Sequence, residues 1–351
     1  MNTKEKILET LNKYPSQVIS GQTLAETCGI SRTAVWKVIN TLRSMGYEID
    51  GTTNGGYKLL NKDDVLSKEL MIDCLEKHYP DYSKSHIETF STIDSTNTYV
   101  KKILSEGKNL RTSSGSLSDF GKKYHKSIFV AEEQTQGRGR LGRTFYSPAK
   151  KGIYLTIVYA PENGIQKPAK TTAYTAAALI KALKKLYNID AQIKWINDIF
   201  LKGKKLAGIL TEGFTNLETN SIECAIIGIG INIEKSDSEM PDDVSKIASA
   251  LSSEYPSIKI NRSELAATIA GEVLKTLDED NPETMSLYKE KSFILGTTVT
   301  VHPVIDNRTS SYKAKAIDID DDAGLIVQLK DGTKKTLISG EVSLHSSSLS
   351  N

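Results

Sequence analysis

Ala131-Glu132-Glu133-Gln134-Thr135-Gln136-Gly137-Arg138-Gly139-Arg140-Leu141-Gly142-Arg143-Thr144-Phe145-Tyr146-Ser147-Pro148 places three glycines and three arginines in the seven residues from Gly137 to Arg143. Glycine lets backbone approach a ligand closely or adopt positive φ. Arginine offers a planar, permanently charged donor fork that suits carboxylate and phosphate. The stretch therefore reads as an anion-binding loop. Its spacing, Gly137-x-Gly139-x-x-Gly142, also matches a dinucleotide fingerprint, which needs a strand before it and a helix opening at its last glycine. Ile128-Phe129-Val130 supplies the strand. The loop then runs through Phe145-Tyr146-Ser147-Pro148 into a second strand, Gly152–Tyr159, with no helix, so the Rossmann reading is rejected.

Outward from the loop, residues 128–234 read as a core of strands around one long helix. Strands are expected at 128–133, 152–159, 192–196, 205–212 and 223–233, around an Ala-rich helix over Ala169–Leu186 whose closing lysines complement its negative end. Ile222–Ile233 is almost continuously apolar and suits a central strand buried on both faces. Ser67 and Ser95 stand where they cap helices over residues 68–78 and 98–105. Residues 105–126 are rich in Ser and Gly, and the expectation is an exposed, mobile loop with His125 solvated. After a polar stretch (Ser236–Ser245), helices are expected near 246–253, 262–278 and 282–291. The last 55 residues change to short strands at Thr297–Val301, Tyr312–Asp318, Gly324–Leu329 and Lys334–Ile338, which suggests a small β-barrel.

Residues 1–62 carry eight Lys or Arg against five Asp or Glu. Lys4–Tyr14, Gln22–Cys28 and Arg32–Met45 read as helices. Gly29-Ile30-Ser31 is the turn of a helix-turn-helix, and Asn54-Gly55 turns a hairpin between Tyr47–Ile49 and Tyr57–Leu60. Together these make a winged helix. Val35, Val38, Ile39, Leu42 and Met45 form the apolar face of the third helix. Off that face stand Ser31, Arg32, Thr33, Trp36, Lys37 and Asn40, residue types that suit a major groove and its phosphates. Thr52, Thr53 and Lys58 of the wing are further DNA candidates.

The 351 residues are 38% hydrophobic and 25% charged with a net charge of +2, so nucleic-acid binding must come from local patches. The three cysteines, Cys28, Cys74 and Cys224, have no metal-site spacing. No apolar run reaches the roughly 18 residues of a membrane span, and the N-terminus has no signal-peptide core, so the chain reads as cytoplasmic with no membrane partner.

Five separated motifs carry a resemblance: Asp94-Ser95-Thr96-Asn97, the Gly-Arg-Gly-Arg-Leu-Gly-Arg loop, Lys194-Trp195-Ile196-Asn197-Asp198, Lys204-Lys205-Leu206-Ala207-Gly208-Ile209-Leu210 and Gly228-Ile229-Gly230-Ile231-Asn232. In this order they resemble biotin protein ligases. With residues 1–62, the chain looks like a bifunctional biotin ligase and biotin operon repressor. The resemblance implies an α+β multidomain protein: a winged helix-turn-helix (1–62), a linker (63–66), a class II synthetase-like catalytic domain with a mixed sheet (67–294) and an SH3-like barrel (295–351). It implies ATP with Mg²⁺ as co-substrate, biotin as substrate and no tightly bound metal. The implied partners are biotin carboxyl carrier protein, operator DNA and a second copy of the chain when adenylate is bound.

The resemblance also assigns residues. Ser95, Thr96, Asn97, Gln134, Gly137, Arg138, Arg140 and Lys205 would contact biotin. Arg138, Arg140, Arg143, Phe145, Asn197 and Asn232 would contact ATP or adenylate, and Arg140 and Lys205 would be catalytic. Asp198 would hold Mg²⁺ or position the acceptor lysine. Lys194 would form a ligand wall and Trp195 a pocket floor. Phe145 and Ile196 replace the family's usual Trp and Pro. Three rivals stay open: a lipoate ligase, a biotin-sensing repressor without ligase activity, and a ligase whose winged helix does not bind DNA.

Overall fold

The computed structural model describes residues 3–13, 17–44, 47–52, 55–60, 66–216, 220–235, 247–302 and 311–344. Thr53 and Asn54 of the expected hairpin turn, Met45, residues 63–65 of the expected linker and the polar stretch Ser236–Ser245 lie outside them.

Helices α1 (Thr3–Lys13), α2 (Gly21–Cys28) and α3 (Arg32–Ser44) precede the hairpin of β1 (Ile49–Thr52) and β2 (Gly56–Leu59). Ser20 caps α2 by accepting the Thr23 amide, and Gly29 ends it at φ 67°, a left-handed position where a Cβ would be strained. Ile7, Leu11, Leu24, Val35, Ile39, Leu42, Ile49 and Leu59 form a core of their own.

Seven strands build a mixed sheet in the order β3-β4-β5-β9-β8-β7-β6. They are β3 (Ile87–Phe90), β4 (Ile128–Ala131), β5 (Gly152–Tyr159), β6 (Gln192–Lys194), β7 (Asp198–Leu201), β8 (Lys204–Thr215) and β9 (Ile222–Asn232). Only β3 and β4 run parallel. Strand β7 was not expected: only Trp195-Ile196-Asn197 separates it from β6, and the Trp195–Ile196 peptide is cis.

Ahead of the sheet lies α4 (Lys68–His78), capped by Ser67. Next comes α5 (Thr96–Glu106), capped by Ser95, then α6 (Asp119–Tyr124). Helix α7 (Pro168–Tyr187) starts on a proline and ends at Asn188 in the left-handed region. It is followed by α8 (Leu251–Glu254), α9 (Arg262–Glu279) and α10 (Pro282–Lys291).

The central strands divide their side chains between two apolar layers, as period-2 alternation demands. Ile153, Leu155, Ile157, Ile227, Ile229 and Ile231 pack with α7 and α9. Val158, Cys224 and Ile226 face the other way, against Val100, Leu104, Leu110 and Tyr124. Residues 105–126 are therefore only in part the exposed loop the sequence suggested: residues 105–109 and 112–116 are exposed, but the segment is docked by its apolar side chains. Leu110, Leu117, Phe120 and Tyr124 cover apolar sheet that would otherwise meet water. Arg111 pins the segment by donating to the carbonyls of Gly115, Pro161, Glu162 and Glu223. His125 is not solvated either: its Nδ1 accepts the Ala160 amide, and burial pushes its pKa down to about 4.

The C-terminal strands β10 (Thr298–His302), β11 (Tyr312–Ile319), β12 (Leu325–Gln328), β13 (Lys334–Leu337) and β14 (Glu341–Leu344) form an antiparallel sheet ordered β13-β12-β11-β10-β14. The sequence reading missed β14. Val299, Val301, Ala316, Leu325, Val327 and Val342 join the same core cluster as Trp195 and α7, and the Trp195 indole donates to Ala323 O at 2.8 Å. No helix among the described residues is long and apolar enough to cross a membrane.

Candidate active site

One face of three adjacent strands makes the floor of a cavity of about 720 Å³. The register sets Tyr154 of β5 and Gly208 of β8 opposite Gly230 of β9, and Thr156 and Leu210 opposite Gly228. The glycines are required by what lies above them. A Cβ on Gly228 would sit 2.6 Å from Asn97 Oδ1, and one on Gly230 would sit 2.4 Å from the Phe145 ring. The Gly-Ile-Gly-Ile-Asn alternation thus buries isoleucines on one face and leaves a smooth bed on the other.

At one end the polar groups are neutral. Ser95 is the helix cap and lines the wall. Asn97 Oδ1 lies 2.6 Å from the Thr156 hydroxyl, and its Nδ2 donates to Glu212 at 2.9 Å. Gln134 Oε1 accepts the Thr96 amide at 2.9 Å, and Gln134 Nε2 donates to Ser147 Oγ at 3.1 Å. Gly137 is buried rather than part of the wall. A Cβ there would meet Phe145 O at 2.3 Å and Ser147 Oγ at 2.5 Å, so its place is under the loop.

At the other end the groups are charged. Arg140 donates to Asn197 Oδ1 at 2.9 Å and to Gly340 O at 3.1 Å. Lys205 Nζ lies 2.7 Å from Asp198 Oδ1. Arg143 forms a two-pronged pair with Glu341, both contacts 2.7 Å, which holds the Glu341 carboxyl below its usual range. Burial lowers the pKa of Arg140, partly offset by Asp198 and Glu341, and burial likewise lowers Lys194. Arg138 is exposed at the rim. Phe145 lies along Gly230 and Gly208, and Asn232 donates to Ser249 O at 3.1 Å. Lys194 and Trp195 both line the wall.

The structure therefore brings every pocket residue expected from the sequence except Gly137 to one cavity wall. It adds Tyr154 to the wall, and behind the wall Thr156 and Glu212, which touch Asn97 and which no local motif marks. It also adds Gly340 and Glu341, for which the sequence held no signal, since β14 itself was missed. The described residues contain no cluster of three or more His, Cys, Asp or Glu placed to hold a metal. Asp198, the Mg²⁺ candidate, is engaged by the Lys205 ammonium.

The DNA candidates lie apart from this cavity. Arg32, Thr33, Trp36 and Lys37 are exposed on α3, Ser31 is exposed just ahead of it, and Asn40 is half-buried. Ser31 accepts the Ala34 amide as a cap, and Trp36, 55% exposed, is not a core residue.

Residues 90–232 match the model of the biotin/lipoate A/B protein ligase family, residues 3–58 that of an HTH domain, and residues 296–345 that of the biotin protein ligase C-terminal domain. A bifunctional ligase/repressor BirA of Bacillus spizizenii is 30% identical over 340 residues, covering 95% of this chain and 96% of that protein. The bifunctional ligase/repressor BirA of Escherichia coli is 28% identical over 329 residues, covering 93% of each. Among solved structures, a biotin protein ligase from Aquifex aeolicus in complex with biotin and ATP shares the fold. Its TM-score is 0.58 at 23% identity, covering 74% of this chain and 97% of that one.

Proposed function

The chain belongs to the biotin/lipoate A/B protein ligase family, together with the bifunctional ligase/repressors, and from that premise we propose how its residues divide the work. It is a biotin protein ligase and a DNA-binding repressor. Biotin and MgATP are its substrates, with the metal arriving on the nucleotide. The biotin carboxylate attacks the α-phosphorus and pyrophosphate leaves. A lysine amine of biotin carboxyl carrier protein then attacks the acyl carbon of biotinyl-5′-AMP, AMP leaves, and the amine gives up a proton.

The observation that carries this reading is the polarity of one cavity. A neutral end of Thr96, Asn97 and Gln134 suits the donors and acceptors of a urea ring without burying a charge. The opposite end, Arg140 and Lys205 with Asn197, suits two anions that must meet, because preplaced positive charge offsets their repulsion. Arg140 bridges carboxylate and phosphate, and Asn197 takes the triphosphate. Arg138 and Arg143 close from the rim, while Phe145 and Asn232 receive the adenosine. Ser95 and Gly137 shape the biotin end. Asp198 holds Lys205 in place, which fits the ion pair better than a direct metal ligand does.

The division at 1–62, 63–66, 67–294 and 295–351 separates the DNA reader from the ligase and its barrel. Ser31, Arg32, Thr33, Trp36, Lys37 and Asn40 read operator DNA. The adenylate-bound protein pairs with a second copy, so that two winged helices meet a palindromic site. The setting is the cytoplasm.

The test pairs two assays. Purified protein is given biotin, MgATP and a carrier domain, and the carrier lysine is followed by mass spectrometry. Operator binding is then measured with and without biotin and ATP. Biotin on that lysine and tighter operator binding with both ligands are expected. An unmodified carrier overturns the ligase half, and an operator affinity blind to both ligands overturns the repressor half.

A further inference from the structure

Behind the neutral end of the cavity stands a carboxylate with no assigned role. Glu212 lies on β8, on the same face as Gly208 and Leu210, one step beyond the cavity wall. It accepts from Asn97 Nδ2 at 2.9 Å and pairs with the Lys101 ammonium of α5. We propose that Glu212 is a positioning residue for the biotin pocket. It fixes which way round the Asn97 amide lies, and so makes that end of the cavity an acceptor for a ligand N–H. This rests on the biotin reading above and deepens it.

An ionised carboxylate only accepts hydrogen bonds, so the Asn97 group facing Glu212 must be the NH₂. The Leu210 carbonyl, 3.4 Å from the same nitrogen, asks for the same orientation. The Asn97 oxygen then points at Thr156, which is fully buried. Thr156 has one hydroxyl proton and two close neighbours, Asn97 Oδ1 at 2.6 Å and Thr96 Oγ1 at 2.7 Å. An amide oxygen cannot donate, so the Thr156 proton goes to Asn97; the Thr96 hydroxyl, with Thr156 Oγ1 at 2.7 Å and Gln134 Oε1 at 3.1 Å, turns its proton to the nearer oxygen, and Gln134 keeps the Thr96 amide.

The amide oxygen thus spends one lone pair on Thr156 and keeps a second for the cavity. A urea ring brings N–H donors to such a group; a dithiolane ring brings none. Reversing the amide would set its oxygen against the Glu212 carboxylate and its NH₂ against Thr156. The chosen orientation therefore depends on Glu212 being present and charged. Asn97 is 4% exposed and lies close over Gly228, where a Cβ would sit 2.6 Å from its Oδ1. Lys101, on the outer side, pairs with the carboxylate and holds it in place.

The test is a double-mutant cycle on biotin binding by calorimetry, with steady-state adenylation alongside. Glu212→Ala is expected to raise the biotin Kd and KM by roughly 10- to 100-fold, the usual loss when a buried polar partner is removed. The ATP KM should change by less than about threefold, since the charged end is untouched. Glu212→Gln still offers an oxygen to Asn97, so its biotin Kd should rise by less than about fivefold. In an Asn97→Ala background, Glu212→Ala should add nothing further, because the group it orients is gone.

Losses that simply multiply in the cycle, or biotin and ATP constants that rise together, overturn the proposal in favour of a general structural role. If Glu212→Ala does not fold, Glu212→Met with Lys101→Met, which fills the space but removes the acceptor and its partner, carries the same cycle. A wild-type protein that binds no biotin fails the biotin reading itself, a result visible before any variant is made.

Discussion

Two glycines set the shape of the cavity floor, and each separates one ligand from the other. Gly230→Ala places a methyl group 2.4 Å from the Phe145 ring, which must then leave its place against β9. The ATP KM is expected to rise by about tenfold or more, in line with the cost of overpacking, while biotin binding changes little. Gly228→Ala crowds Asn97 instead, so the biotin constant should rise and the ATP constant hold. Steady-state adenylation with each substrate varied in turn separates the two. Equal effects of either variant on both substrates would mean that the floor does not discriminate. At this scale the sequence was legible for residues inside compact motifs, such as Arg140, Asn197 and Lys205. It was silent on Glu212 and Thr156, which reach the site only because strand register sets them beside Gly228 and Asn97.

Among the elements, the segment around α6 departs furthest from its sequence appearance. Leu117, Phe120 and Tyr124 do stand at helical spacing, but the helix is only six residues long in a Ser- and Gly-rich background, too short for periodicity to reveal the sheet face it covers. His125 gives this docking a pH signature. Its folded pKa is about 4 against an ordinary 6.5, because burial disfavours the imidazolium and Lys126 repels it, with Asp278 opposing and Arg111 adding a little. Below pH 6.5 the unfolded chain takes a proton that the folded chain refuses until about pH 4. Stability contributed here is complete above pH 6.5 and lost as pH falls toward 4. Denaturant midpoints at pH 5 and 7.5 should therefore differ, and His125→Asn, which keeps an acceptor near Nδ1 without a titrating ring, should narrow the gap. An unchanged gap would place the pH dependence elsewhere. Helix α3, by contrast, follows its sequence closely. If its exposed face meets phosphates, Arg32→Ala and Lys37→Ala should each lower the slope of log affinity against log salt by about 1. Slopes unchanged in both variants would remove α3 from the contact.

Across the whole molecule, the apolar cores divide the chain unevenly. The winged-helix residues form a cluster separate from the rest, whereas the seven-stranded sheet and the C-terminal strands share one. Calorimetry should accordingly resolve two transitions, with biotin and ATP raising only the larger. A single transition that moves as a unit would mean that the two cores unfold together. This union also brings Gly340 and Glu341 to Arg140 and Arg143 across about 200 residues of chain, a juxtaposition that no local pattern encodes. The motifs in residues 94–232 pointed to the chemistry, and the barrel's share in the site emerged only from the folded chain. Whether this cavity joins biotin to AMP through Arg140 is decided by pyrophosphate release with MgATP and biotin, with Arg140→Ala as control and lipoate in parallel. Release is expected with biotin and not with lipoate, reduced roughly 100- to 1000-fold in Arg140→Ala, the usual loss when a preorganised charge-stabilising donor is removed. Release that persists in the variant, or that lipoate supports as well as biotin, would contradict that reading.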